Sequence, residues 1–185
     1  MRWQKKGLIY VPDGTSSWAK HSALTPSPFL VSDDVIRVYS GFRDDAGVSR
    51  IGYVDLAAND PSKVLAVSKE PVLDVGIPGT FDDNGVILGD IVQNDGAMNM
   101  FYVGFQLVEK VKFLAYTGLA VSRDGGDSFA RVKKSPVLDR SEEGLYIRAI
   151  HSVMVEGVYR GNPAIPSHIS SLTISRVKDS EHEVA

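Results

Sequence analysis

Apolar residues along the chain fall in short runs rather than at helical spacing. Phe29-Leu30-Val31, Val35 to Tyr39, Ile51 to Leu56, Val64 to Val67, Val86 to Val92, Met98 to Phe105, Leu114 to Ser122 and Val153 to Tyr159 are rich in the residues that suit a pleated, half-buried surface. Turn-forming groups separate them: Asp33-Asp34, Asp44-Asp45-Ala46-Gly47, Asn94-Asp95-Gly96 and Asp124-Gly125-Gly126. No long stretch keeps an apolar period of three to four, so helix is expected to be scarce and the fold all-β.

Three motifs return in order at nearly one spacing. Ser40-Gly41-Phe42 recurs as Val103-Gly104-Phe105 (104 − 41 = 63), and Ile51-Gly52-Tyr53-Val54 as Thr117-Gly118-Leu119-Ala120 (118 − 52 = 66). Pro71-Val72-Leu73-Asp74 recurs as Pro136-Val137-Leu138-Asp139 (136 − 71 = 65). Each unit reads strand, turn, strand, Gly-rich loop, strand, turn, strand and a Pro-Val-Leu-Asp link, the wiring of a four-stranded propeller blade. The first unit covers about 18–74 and the second about 81–139, in one partial propeller over 1–185. A third, divergent unit over about 146–185 opens at Tyr146 and turns at Glu156-Gly157. Gly161 to Pro166 then replaces the expected glycine-aromatic strand, and Leu172 to Arg176 matches Leu119 to Arg123 only at a shorter shift (172 − 119 = 53). Two to three blades do not close a ring of the usual four to eight, so the chain is expected to be a piece of a propeller or one completed by another copy.

Composition narrows the chemistry. The 185 residues carry a formal net charge of −3, and the basic pairs Lys5-Lys6 and Lys133-Lys134 are too short to neutralise a row of phosphates, so nucleic acid is excluded as a partner. No apolar run reaches membrane-spanning length and no signal-type h-region follows Met1 to Lys6, which predicts no membrane association and a cytoplasmic location. With no cysteine, disulfides, thiolate zinc sites and a Cys nucleophile drop out. His21, His151, His168 and His182 show no ligand spacing, and neither a metal nor another cofactor is expected.

The segment Gly79-Thr80-Phe81-Asp82-Asp83-Asn84-Gly85-Val86, the hairpin from Asp95-Gly96 into Met100 to Phe105, and Leu119 to Gly125 resemble the five-bladed β-propeller glycosidase superfamily. That superfamily includes arabinanases, β-xylosidases, invertases, levansucrases and mannoside phosphorylases. The resemblance covers about 18–155, in a chain that looks truncated against it. It implies an axial pocket with three acidic groups from the first three blades: a base or nucleophile, an orienting Asp and a general acid Glu. One carboxyl must protonate the leaving oxygen while another stays ionised. In phosphorylases of this fold, phosphate replaces the attacking water.

Carried onto this sequence, the resemblance makes Asp83 the orienting Asp, with Asp82 beside it as a ligand-binding residue, against the alternative of an Asx turn. Where the first blade would supply an Asp, this chain has His21, a sugar-hydroxyl ligand, a base near neutral pH or a surface His. Glu142 or Glu143, with Glu143 preferred, stands near the place of the proton donor, in a run that more often reads as a solvated loop. Arg148 and His151, three apart on one expected inner strand, would face opposite ways, and Arg148 is taken to face the axis as a cation for an anionic sugar or phosphate. Arg43 matches an inward ligand-binding arginine or forms a surface pair with Asp45, and Trp18 is a sugar platform or a packing residue.

Ser122 to Phe129 fits the Asp-box pattern, a structural hairpin that says nothing of catalysis and keeps a sialidase-like propeller in view, although no arginine triad is recognisable. The expected function is action on a glycosidic bond through paired carboxylates, by hydrolysis or phosphorolysis, with a glycan or small sugar as partner. The alternative is a non-catalytic sugar-binding or degenerate propeller fragment. Homo-oligomerisation through exposed strand edges is a third expectation.

Overall fold

The computed structural model describes residues 5–94 and 96–153, and all regular structure among them is β. Strands β1 (His21–Ser32), β2 (Val35–Arg43), β3 (Ser49–Ala57) and β4 (Val64–Val67) form one antiparallel sheet in chain order. Strands β5 (Val86–Asn94), β6 (Ala97–Gln106), β7 (Leu114–Ser122) and β8 (Ala130–Arg131) form a second sheet in the same order. The Pro-Val-Leu-Asp links dock alike on the third strand of each sheet. The amides of Val72 and Leu73 donate to the carbonyl of Ile51 at 2.8 and 3.3 Å, and those of Val137 and Leu138 to the carbonyl of Thr117 at 2.7 and 3.2 Å.

Side-chain parity explains how the sheets stack. Alternation along each strand puts Gly52, Val54 and Leu56 on one face of β3, and their matches Gly118, Ala120 and Ser122, with Tyr116, on one face of β7. In the first sheet that face carries Val54 and Leu56, packed with Trp18 and Phe42 away from the second sheet. In the second sheet it carries Tyr116 and Ala120, which pack with Tyr39 and Ile51 of the first. Each sheet thus shows the same face in the same rotational sense, as successive blades of a partial propeller do. The far face of the second sheet is covered by Ile150 against Phe101 and Leu119.

Two of the repeated glycines are explained by close approach. A Cβ on Gly52 would lie 2.5 Å from Cη2 of Trp18, and one on Gly118 would lie 2.2 Å from Cζ of Tyr102. Each leaves room for an aromatic side chain against the backbone.

Strand β1 begins eight residues before the apolar run that marks it in the sequence (29 − 21 = 8). Its early part is irregular: register shifts separate His21, Leu24 and Ser27, Ser22 and Thr25 have φ of 71° and 46°, and Pro26 and Pro28 interrupt the amide row. Local sequence here signals a turn, and pairing to β2 overrides it.

The third unit departs from expectation in its described part. Ile147–Arg148 forms β9, which pairs parallel to β7 through Ala115↔Ile147 and Tyr116↔Arg148 and so joins the second sheet. The strand stops there, so Arg148 and His151 do not share one. The expected strand from Val153 to Tyr159 beyond its first residue, the Glu156-Gly157 turn, Gly161 to Pro166, Leu172 to Arg176, His168, His182 and the hairpin residue Asp95 lie outside the described residues.

A charged clamp joins the sheets. Arg37 of β2 makes a two-pronged bond with its cross-strand partner Asp55 (Nε–Oδ1 2.8 Å, Nη2–Oδ2 2.9 Å), lies 3.6 Å over the Tyr53 ring, and reaches Asp127 of the second sheet at 2.6 Å. Beside it the Tyr39 hydroxyl donates to the carbonyl of Gly126 at 2.9 Å, and Phe129 sets its ring edge-on to Tyr39 at 5.8 Å. The hairpin carrying Asp127 is internally bonded. Ser122 Oγ accepts from the Gly126 amide, and the Asp124 carboxylate accepts from the amides of Asp127 and Ser128 and bonds both the Ser122 and Ser128 hydroxyls. Those hydroxyls hold the Asp124 carboxyl well below the usual carboxylate range.

Burial pushes the Tyr39 phenol up to about 12 from 10.0, against the opposing pull of Arg37. A folded-state value above the unfolded one contributes stability that is complete below pH about 10 and is lost as pH rises toward about 12. Urea unfolding across that window is expected to show a falling midpoint, with a shallower fall in Tyr39→Phe. An equal slope in both proteins would remove the assignment.

Candidate functional site

The residues singled out in the Gly79 to Val86 segment lie on a turn that leads into β5. Gly76 donates its amide to the Asp82 carbonyl at 2.9 Å, and Thr80 donates to Ile77 at 3.1 Å, closing the loop. Asp82 is 0% exposed, yet its carboxylate is satisfied. Thr80 Oγ1 donates to Oδ1 at 2.8 Å, while Tyr102 OH at 3.0 Å and Arg131 Nε at 2.7 Å both donate to Oδ2. Arg131 also donates to the carbonyl of Asp74. Burial first, and then the Asp82 carboxylate, raises the Tyr102 phenol.

Asp82 is an internal anchor: its carboxylate is fully buried and bonded to Thr80, Tyr102 and Arg131. Asp83 is half-buried and has the opposite role: its Oδ2 accepts the Gly79 amide at 2.8 Å, and Oδ1 has no hydrogen-bond partner among the described residues. The adjacent acids point apart, one locking the turn and the other presented by it.

A cleft of about 640 Å³ opens beside this turn, walled by Gly79, Thr80 and Phe81 on one side and by Lys134 to Pro136, Asp139 and Arg140 on another, with Gln106, Leu114 and Tyr116 also lining it. Arg148 crosses behind the second wall. It donates to the Asp139 carbonyl at 3.0 Å and to Glu143 Oε2 at 2.9 Å, and the Glu143 side chain is otherwise 80% exposed. Asp83 follows the turn that walls the cleft, and Glu143 is tied to the other wall only through Arg148, whose guanidinium also bonds the Asp139 carbonyl; none of the three is itself among the lining residues.

The other expected site residues belong to the first sheet. His21 and Arg43 are register partners at the open end of the β1–β2 pair, both exposed, and the His21 ring is bonded through Nδ1 to Ser22 Oγ at 2.8 Å. Arg43 forms no ion pair with Asp45 among the described residues. Trp18 is 8% exposed, packs edge-on against Phe42 at 5.8 Å and donates Nε1–H to the Lys69 carbonyl at 3.0 Å, so most of its ring is core. A second cleft, about 390 Å³, lies at this end of the first sheet, with Ser17, Trp18, Asp44, Arg50, Glu70, Pro71 and Asp74 around it. Within it Arg50 bridges Asp44 at 2.8 Å and Asp74 at 2.7 Å. Burial opposes ionisation of Asp44, but Arg50 and the amides of Val48 and Ala46 hold its carboxyl below the usual range.

Sequence reasoning missed Arg131, Tyr102 and Thr80, the partners of Asp82, as well as Lys134 and Arg140. One signal was present: the glycines that crowd Asp82. A Cβ on Gly76 would lie 2.1 Å from its Oδ1 and one on Gly104 2.3 Å from its Cβ. No helix among the described residues is long and apolar enough to cross a membrane, and no cluster of three or more His, Asp or Glu among them could hold a metal ion.

No protein-family profile matches the chain. The uncharacterized protein Rv1502 of Mycobacterium tuberculosis is 33% identical over 159 residues, which are 85% of this chain and 52% of that protein, and the uncharacterized protein MT1551 from another strain matches equally. The chain spans about half the length of these curated relatives. Among solved structures, a family 117 glycoside hydrolase from the marine bacterium Zobellia galactanivorans superposes with a TM-score of 0.57 at 17% identity, covering 74% of this chain and 39% of that one. A glycosyl hydrolase from Bacteroides ovatus gives 0.54 at 18%, covering 76% and 42%. A structure from the GH130 family of mannoside phosphorylases, described as containing glycoside hydrolases that target β-1,2 mannosidic linkages in Candida mannan, gives 0.55 at 18%, covering 79% and 44%. The likeness is one of fold: the chain folds as a glycosidase-like partial propeller.

Proposed function

We propose that the chain is part of a carbohydrate-active propeller that acts on a glycosidic bond at the cleft beside Asp83. Residues about 18–74 and 81–139 are its first two blades, and Ser122 to Phe129 is the Asp box of the second. The observation that carries the reading is the presentation of Asp83. A buried anchor fixes its turn, one oxygen of its carboxylate has no partner among the described residues at the entry to β5, and Glu143 is tied through Arg148 to Asp139, a residue of the cleft's other side. In this reading Glu143 gives its proton to the leaving oxygen, Asp83 orients the reacting group, and Arg148 positions Glu143. Water or phosphate is the acceptor.

The test is an aryl-glycoside and manno-oligosaccharide panel, run with and without phosphate. Turnover is expected to fall at least about 100-fold in Asp83→Asn while the unfolding midpoint stays put. Unchanged turnover in that variant would exclude Asp83 from the site.

A sugar-binding reading without turnover is favoured by one observation. His21 stands where the superfamily resemblance implies a carboxylate base, and its ring is exposed and bonded to Ser22. Saturable binding to glycans with no product in any of these assays would select it.

A further inference from the structure

The two clefts occupy matching places in the two sheets but differ in charge. Their linings correspond at the spacings of the sequence repeat: Trp18 to Phe81 (81 − 18 = 63), Arg50 to Tyr116 (116 − 50 = 66), and Pro71 and Asp74 to Pro136 and Asp139 (139 − 74 = 65). In the first cleft the single cation, Arg50, is spent on Asp44 and Asp74, and Glu70 adds a further acid, so the lining is acidic. In the second, Tyr116 replaces that arginine, and Lys134 and Arg140 face one acid, Asp139, so the lining is basic.

Neither Lys134 nor Arg140 forms a side-chain ion pair among the described residues. Asp139 turns its carboxylate to the backbone amide of Arg140 at 2.7 Å. Arg140 Nε donates to the Tyr116 oxygen at 3.1 Å, and that hydroxyl in turn donates to the Leu145 carbonyl at 2.9 Å. The guanidinium is held by one nitrogen while its two terminal nitrogens remain as donors, the arrangement that suits a carboxylate or phosphate. The cleft, at about 640 Å³, falls in the size range of small-molecule sites, and Gln106 and Ser135 add neutral polar groups for hydroxyls.

We propose that the second cleft binds the anionic oxygen group of a sugar, a carboxylate or a phosphate monoester, between Lys134 and Arg140. The proposal names the ligand class of the same cleft as the proposed function, but its binding groups are Lys134 and Arg140 rather than Asp83, so loss of anion preference and loss of turnover can be told apart.

The test is calorimetric titration of the full chain with glucuronate, glucose 6-phosphate, inorganic phosphate and glucose. At least one anionic sugar is expected to bind about tenfold or more tightly than glucose, and more weakly as salt is raised. Glucuronate against glucose 6-phosphate shows which anion is preferred, and either preference supports the proposal. The double variant Lys134→Ala/Arg140→Ala is expected to lose the preference, whereas Lys133→Ala retains it. Three results overturn the proposal: equal binding of glucose or no binding of either anionic sugar, a preference that survives in the double variant, or inorganic phosphate binding as tightly as the best anionic sugar.

Discussion

Asp82→Ala is expected to lower the free energy of unfolding by about 3–5 kcal/mol, the range for removing one partner of a buried, hydrogen-bonded charge pair. The substitution leaves the Arg131 guanidinium facing an apolar hole and the fully buried Tyr102 hydroxyl without its acceptor. It also releases Thr80 Oγ1, one of the bonds that shape the turn carrying Asp83. Asp82→Asn keeps the volume and accepts hydrogen bonds but loses the charge, so a smaller loss of about 1–3 kcal/mol is expected. Urea denaturation of the three proteins measures this. A loss below about 1 kcal/mol in Asp82→Ala would mean that the anchor is not a stability element.

Arg37→Ala should cost about 3–5 kcal/mol for a related reason. Asp55, with only 12% of its side chain exposed, would lose both prongs of its partner, and the two sheets would lose the bond from Arg37 to Asp127. Asp127→Ala removes only the exposed end, where ion pairs contribute little, so a loss under about 1 kcal/mol is expected. Removing both members in Arg37→Ala/Asp55→Ala should cost less than the sum of the single changes, because no charge is then left buried alone. Additive losses in that double-mutant cycle would show that the two groups do not act as a pair.

Much of the architecture was legible because turn chemistry and strand patterning are local. The glycine and Asp-rich turns bracket β2, β3, β6 and β7 to within a few residues, and the repeated motifs mark equivalent positions in both sheets. Arg37 and Asp55 were legible in principle as lone charges in apolar strands, brought face to face by antiparallel register. The start of β1 was hidden because two prolines and left-handed backbone at Ser22 and Thr25 imitate a loop. The site was less legible. Asp82 and Asp83 are chemically alike in the sequence, and only the three-dimensional approach of Arg131, Tyr102 and Thr80, distant or near in chain order, makes one a strut and the other a presented acid. The strand expected to carry both Arg148 and His151 ends at Arg148, because Ile147 and Arg148 pair in parallel with β7, a long-range choice that short motifs do not encode.

The prolines of β1 have one more effect. Proline is tolerated in a strand where its nitrogen faces the unpaired side, and Pro26 and Pro28, two apart, turn their nitrogens the same way. An incoming polypeptide would find two missing rungs on that margin, which blunts templated growth and fibril seeding from it. Any self-association by strand addition is thereby steered to the opposite margin at β4, where Val64, Leu65 and Val67 remain open to solvent.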